Sequence, residues 1–155
     1  METKMNSYLG RGRSDYLYAK AGMSVGEEYG DYNGVASMCA QAAEKYLKAI
    51  IEKCVFGEDT ISLLKSHNLR AILNAIKEVY PNIDIVTKDV KWLGDFYFDA
   101  RYPGDNFIQV SREDALECLG LVEKIEQEVK EILKKEEESR KEQKKKISSL
   151  KTFIF

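Results

Sequence analysis

His67 is the only histidine in this 155-residue chain, and histidine is the side chain best suited to moving a proton near neutral pH. It lies between Ser66 and Asn68, at the start of a stretch with helical periodicity. The positive end of a helix dipole disfavours a cation, so a neutral imidazole is expected there. Two roles stay open: His67 acts as a base or phosphate contact, or it is a helix-start residue that is hydrogen-bonded locally.

Arg101 is the second residue that could do chemistry. It opens the sequence ArgTyrProGlyAsp, in which proline fixes φ and glycine permits a positive φ, so a rigid turn is predicted. A guanidinium presented by such a turn can grip a phosphate or a carboxylate with two donors. The alternative is that Arg101 pairs with Asp99, Asp105 or Glu113 and braces the corner between two helices.

These residues need a scaffold, and the clearest part of it is a helix over residues 35–54. Its apolar side chains recur at i, i+3, i+4 and i+7, which predicts one face against a core. They are Val35, Met38, Cys39, Ala42, Ala43, Tyr46, Leu47, Ile50, Ile51 and Cys54. Glu44, Lys45 and Lys48 fall outside this series. Small residues in its first half allow close approach of a neighbour, so this is predicted to be the central helix of an all-α bundle.

Four further stretches show helical periodicity with start or stop signals at their ends. They run from Ser14 or Asp15 to Gly30, from Ser66 to Pro81, from Thr87 to the turn at Pro103, and from Ser111 to residue 133. With no pair of strands predicted, we expect an all-α fold of four long helices and one or more short ones. The stretch that begins at Thr87 is aromatic nearly all round, with Trp92, Phe96 and Phe98, and such a surface either belongs to the core, stacks on a base or marks a contact between subunits.

The predicted helices divide the chain into three parts. Residues 1–13 are polar and contain glycine, which favours a flexible lead. Residues 14–133 form the helical domain. Residues 134–155 are predicted to be a charged helical extension that frays, followed by an apolar tail that folds back or contacts a partner.

Composition excludes several classes of protein. The chain has 24 basic and 26 acidic residues, so its overall charge does not favour nucleic-acid binding. No apolar run is long enough to cross a membrane, and no secretory signal is recognised, so we expect a cytoplasmic protein. The three cysteines form no CxxC pair and are expected in the core. We therefore expect no metal and no cofactor.

Four segments in order resemble one family. They are AQAAEKYLKA at residues 40–49, SHNL at 66–69, ARYP at 100–103 and SREDA at 111–115. Together they are similar to the HEPN domain, over about residues 14–133. The resemblance implies an up-and-down antiparallel four-helix bundle with a short extra helix. It also implies a homodimer, and a partner that is a minimal nucleotidyltransferase in a toxin–antitoxin-like setting.

Some HEPN proteins are metal-independent ribonucleases that use the motif Arg-x(4–6)-His. Here the arginine would have to stand at position 60, 61 or 62, where the chain has Thr60, Ile61 and Ser62. The ribonuclease motif is absent, which places the resemblance in the non-ribonuclease branch. That branch implies a ligand-binding pocket without catalytic residues, and the matching positions are His67, Arg101, Tyr102, Pro103 and Lys45.

The sequence thus favours a non-catalytic module that binds a nucleotide and a nucleotidyltransferase partner. Two alternatives remain at this point. One is a ribonuclease with a non-standard site that uses His67 with Arg70 or Arg101. The other is a structural helical adaptor whose charged tail makes the contact.

Overall fold

A computed structural model describes residues 3–55 and 57–154, with the side chains of residues 153 and 154 left out. It contains seven helices within these ranges and no strand, which confirms the all-α prediction. The helices are α1 (Tyr8–Ala21), α2 (Met23–Tyr29), α3 (Asn33–Cys54), α4 (Thr60–Lys65), α5 (Leu69–Val79), α6 (Thr87–Asp99) and α7 (Arg112–Ile154).

Helix α3 is the centre of the bundle, as predicted. It packs against α1 and α7 along most of its length and also contacts α4, α5 and α6. Its apolar face is almost fully inaccessible to solvent, and Tyr46 is its largest buried side chain. Burial of this face supplies the main apolar driving force for the bundle.

The first helix begins earlier than the predicted cap at Ser14 or Asp15. The hydroxyl of Ser7 accepts a hydrogen bond from the backbone N–H of Gly10 at 2.9 Å and caps α1 there. Residues 8–13, predicted to belong to a flexible lead, are therefore helical. The apolar pattern hid this because α1 buries small residues. A Cβ on Gly12 would lie 3.1 Å from the ring of Tyr46, so glycine permits the close contact of α1 with α3.

Between α1 and α3 the chain breaks twice. The predicted single helix up to Gly30 divides at Gly22 into α1 and α2. Gly30 ends α2 with a φ of 74°, the left-handed conformation that glycine adopts without strain. Gly26 lies against the ring of Tyr32, where an added Cβ would come within 2.2 Å of ring carbons, so no larger residue fits without displacing that ring.

The connection from α3 to α5 differs from the prediction in two ways. Residues 60–65 form the short helix α4, which the apolar pattern did not mark, because none of its side chains is fully buried. Helix α5 starts at Leu69 rather than near Ser66. Its cap is Asn68, whose side-chain oxygen accepts the N–H of Ala71 at 3.1 Å.

Helix α7 begins as predicted, with Ser111 accepting the N–H of Asp114 at 3.0 Å. It then continues without a break to Ile154, so the predicted charged extension is helical. Three tyrosine hydroxyls on other elements donate to its carboxylates, in the pairs Tyr16–Glu123, Tyr46–Glu126 and Tyr80–Glu136. Beyond them, Arg140 donates to the carbonyl of Lys53 at 2.7 Å, and this bond fastens α7 to the end of α3.

These tyrosines make stability sensitive to alkaline pH. Burial, and then the hydrogen bond to Glu123, raise the pKa of Tyr16 to about 12, and burial followed by the bond to the α7 carboxylate likewise raises the pKa values of Tyr46 and Tyr80. A group whose pKa is raised on folding stabilises fully below its unfolded pKa, near 10 for tyrosine, and loses that contribution as pH rises through the folded value.

We therefore expect the free energy of unfolding to change little from pH 7 to 9 and to fall between pH 10 and about 12. Urea titrations at fixed pH values measure it. Tyr16→Phe removes one of the three groups and should make the fall shallower. A fall of unchanged steepness in Tyr16→Phe would show that Tyr16 does not contribute.

Candidate functional site

A buried ion pair on α3 forms the base of the candidate site. Glu44 and Lys48 are only 6% and 4% exposed, although both were predicted to lie outside the apolar face. The ammonium of Lys48 lies 3.2 Å from Oε2 of Glu44, one helical turn away. Removing two charges from water costs several kcal/mol per ion, so the pair needs further hydrogen bonds to be stable.

His67 supplies one of those bonds. Its Nδ1 lies 2.8 Å from Oε1 of Glu44, and because a carboxylate only accepts, Nδ1 carries the proton and donates. The ring also stacks on Tyr97 of α6, with centroids 5.1 Å apart and planes inclined by 18°. Even so, the side chain is 61% exposed. With Nδ1 engaged, Nε2 is the nitrogen that the ring offers to a ligand.

The segment before α5 explains this placement. Ser66 has an extended backbone and its hydroxyl accepts the N–H of Asn68 at 3.0 Å, while Asn68 caps α5. His67 stands between these two local bonds and outside the helix. The hypothesis of a locally hydrogen-bonded His67 is therefore wrong, because its partner, Glu44, is 23 residues away in sequence.

Arg101 lies one helical turn beyond Tyr97. Helix α6 ends at Asp99, but the N–H of Arg101 still donates to the carbonyl of Phe98 at 3.0 Å, so the turn continues. Residues four apart on a helix are neighbours on one side of it, about 6 Å apart. Arg101 is exposed and forms no ion pair within the described ranges, so the predicted brace to Asp99, Asp105 or Glu113 is not seen.

Asn33 fixes the segment that carries Arg101, and sequence reasoning missed it. Its side-chain amide donates to the carbonyls of Ala100 and Ile108 at 2.9 and 2.8 Å, and its oxygen accepts the N–H of Val110 at 2.9 Å. One side chain thus ties the loop between α6 and α7 to the start of α3. The only signal in the sequence is a polar residue at the head of a long apolar helix, which is equally typical of an ordinary cap.

A family model described as the HEPN domain matches residues 6–150. The chain belongs to the HEPN domain family. TT1696 from Thermus thermophilus, known from a crystal structure, is 24% identical, with a TM-score of 0.62 over 80% of this chain and 94% of that one. That likeness supports the fold alone. The comparison with curated proteins gives no match.

In this HEPN domain the cluster lies within the segments that carried the resemblance. Glu44 and Lys48 belong to AQAAEKYLKA, His67 to SHNL and Arg101 to ARYP. The structure brings His67, Tyr97, Glu44 and Lys48 into contact, with Arg101 one turn away. We refer to these five residues as the His67 cluster.

Three predicted pocket residues lie outside the His67 cluster. Lys45, next to Glu44 in sequence, points to α1, where its ammonium binds the carboxylate of Asp15. Tyr102 packs against Phe98, with ring centroids 4.6 Å apart, one position round α6 from Tyr97. Pro103 is exposed in the loop that follows.

Other chemistry is limited in the HEPN domain. Within residues 3–55 and 57–154, no group of three or more His, Cys, Asp or Glu side chains is arranged to hold a metal ion. Cys39, Cys54 and Cys118 are buried, and burial raises the pKa of each thiol, to about 12 for Cys39. Such thiols are poor nucleophiles. No helix in these ranges is both long and apolar enough to cross a bilayer.

Proposed function

We propose that this HEPN domain is a non-catalytic binding module that holds the phosphate of a nucleotide at the His67 cluster. It acts beside a minimal nucleotidyltransferase, in a toxin–antitoxin-like setting. The observation that carries the proposal is the fixed, exposed imidazole of His67, whose orientation is set by a buried carboxylate and an aromatic ring.

The arrangement suits an anion for three reasons. Nε2 of His67 can donate to a phosphate oxygen when the ring is protonated, and the neutralised pair of Glu44 and Lys48 beneath it adds no net charge. The exposed guanidinium of Arg101 adds a two-pronged donor. Helix α5 starts two residues after His67, so the positive end of its dipole lies next to the ring.

Calorimetry with the intact chain tests the proposal. We expect ATP and GTP to bind, adenosine to bind at least tenfold more weakly, and His67→Ala or Arg101→Ala to weaken ATP binding at least about tenfold, as for loss of a charge-assisted hydrogen bond. Lys88→Ala is the matched control. It removes one exposed positive charge about 20 Å away, at the other end of α6, and should leave binding unchanged.

Two results would contradict the binding function. One is the absence of binding by any nucleotide at millimolar concentration. The other is unchanged binding by Arg101→Ala combined with a lower melting temperature, which would make Arg101 structural.

The partner is tested separately. Co-expression with a nucleotidyltransferase encoded beside this gene should yield a complex that survives gel filtration. If no such neighbour exists, or the two proteins elute apart, the structural adaptor replaces the nucleotidyltransferase partnership.

A ribonuclease is the second candidate, favoured by one observation. A carboxylate on Nδ1 of a histidine is the arrangement that orients a general base. Cleavage of RNA also needs an acid for the leaving group, and the chain has no second histidine and no arginine at the family offset.

We therefore expect no cleavage of RNA above the buffer background. Assays on single-stranded RNA with the wild-type protein and His67→Ala, purified side by side, measure it. Cleavage by the wild type that His67→Ala abolishes would establish the ribonuclease instead. Equal cleavage by both would identify a contaminant and leave the chain itself inactive.

A further inference from the structure

The end of the bundle at which α3 starts carries an exposed acidic and aromatic surface. Three contacts bring its parts together: Arg112 of α7 lies 2.8 Å from Glu27 of α2, Ile108 donates to the carbonyl of Asp99, and Asn33 holds the loop. We call the surface formed by residues 27–31 and 98–117 the acidic–aromatic patch. Its exposed apolar members are Tyr29, Phe98, Tyr102, Phe107 and Leu116.

The acidic–aromatic patch is strongly charged. It contains eight acidic residues and two arginines, a net charge of −6, in a chain whose total is only −2. Exposed apolar side chains within a charged rim are typical of a contact surface. The charge predicts that the partner is basic.

The opposite end of the molecule carries a matching surface. Residues 141–152, which we call the α7 tip, lie beyond the bond that Arg140 makes to the end of α3, and every one of them is exposed. Five lysines and one glutamate give the α7 tip a net charge of +4. It also carries two exposed apolar side chains, Ile147 at 53% and Leu150 at 61%.

Those two side chains continue the inner stripe of α7. Ile147 and Leu150 stand about five full turns after Val129 and Ile132, so each lies on the same side of the helix as its counterpart. Val129 and Ile132 pack on the core, whereas the same stripe at the α7 tip is exposed.

The α7 tip cannot reach the acidic–aromatic patch of its own chain. Leu116 and Ile147 are on one unbroken helix and about 45 Å apart. A second copy brings both surfaces together, because each chain carries one of each. The opposite charges also favour this pairing over two like surfaces.

We propose that the α7 tip of one chain docks on the acidic–aromatic patch of a second copy, in a two-fold dimer with antiparallel α7 helices. The two contacts are equivalent, as a closed two-fold interface requires. This dimer is independent of the proposed nucleotide site: Tyr97 and Arg101 occupy one side of α6, and Phe98 and Tyr102 the next.

Charge reversal tests the interface in the full chain. The tip variant, Lys144→Glu with Lys145→Glu and Lys146→Glu, changes the charge of the α7 tip from +4 to −2. The patch variant, Glu28→Lys, Asp105→Lys, Glu113→Lys and Glu117→Lys, changes the charge of the acidic–aromatic patch from −6 to +2. All seven side chains are exposed, so both variants should keep the helical circular dichroism of the wild type.

Sedimentation velocity at micromolar concentration gives the readout. We expect a wild-type dimer that weakens with added salt, monomers for each variant alone, and a heterodimer when the variants are mixed, since both contacts then regain opposite charges. The control, Lys20→Glu with Lys65→Glu and Lys88→Glu, changes the net charge as much as the tip variant and should remain a dimer. A monomeric wild type, a dimeric tip variant, or mixed variants that stay monomeric would overturn the proposal.

Discussion

Replacing Glu44 with alanine is expected to lower the free energy of unfolding by about 3–5 kcal/mol. The substitution leaves the ammonium of Lys48 buried, at 4% exposure, without its counter-charge, and it removes the partner of His67 Nδ1. Two charge-assisted bonds are lost at once. An uncompensated buried charge is among the most costly defects that a single substitution introduces.

Urea denaturation at pH 7 measures this loss. Glu52→Ala is the matched control, because Glu52 is an exposed glutamate on the same helix and should change stability by less than about 0.5 kcal/mol. The double variant Glu44→Leu with Lys48→Met removes both charges and should recover most of the loss, since apolar residues of similar volume replace a buried pair well. A loss below about 1 kcal/mol in Glu44→Ala would show that Lys48 reaches solvent.

Replacing Asn33 with alanine is expected to cost about 2–3 kcal/mol, because two carbonyls and one N–H lose their partner together. It should also weaken nucleotide binding, because the loop that places Arg101 is no longer tied to α3. Denaturation and calorimetry on the same preparation measure both effects.

Two controls separate these effects. Asn106→Ala changes an exposed asparagine in the same loop and should be close to neutral. Asn33→Asp keeps the acceptor for Val110 but loses both donors, so its stability should fall between the wild type and Asn33→Ala. An Asn33→Ala protein with full stability would show that water replaces all three bonds.

The helices could be predicted where apolar side chains define one face. Helix α3 has such a face from Val35 to Cys54, and α5 has one from Leu69 to Ile76. Helix α1 lacks one because Gly12 and Ala19 are its buried residues, so its start was placed too late. Helix α4 has no buried residue, and its existence depends on neighbours that a local pattern does not reveal.

The candidate site was predicted only in part. His67 and Arg101 were named from their types and from the family segments. Glu44 was predicted to be a solvent-facing charge, because its burial is produced by the segment before α5, which folds over it from 23 residues away. Lys45 was named in its place, although one position along a helix turns a side chain by about 100° and directs it to α1.

The most direct test of the nucleotide site uses the fact that His67 is the only histidine in the chain. Its imidazole carbon-bound protons therefore give one isolated pair of signals in a proton–carbon NMR spectrum, and these report contact at the His67 cluster alone. We predict saturable shifts of both signals as ATP is added, much smaller shifts with adenosine, and the loss of the ATP effect in Arg101→Ala. Imidazole signals that stay unmoved through millimolar ATP, in a protein that is folded and concentrated enough to detect them, would contradict the assignment of nucleotide binding to this site.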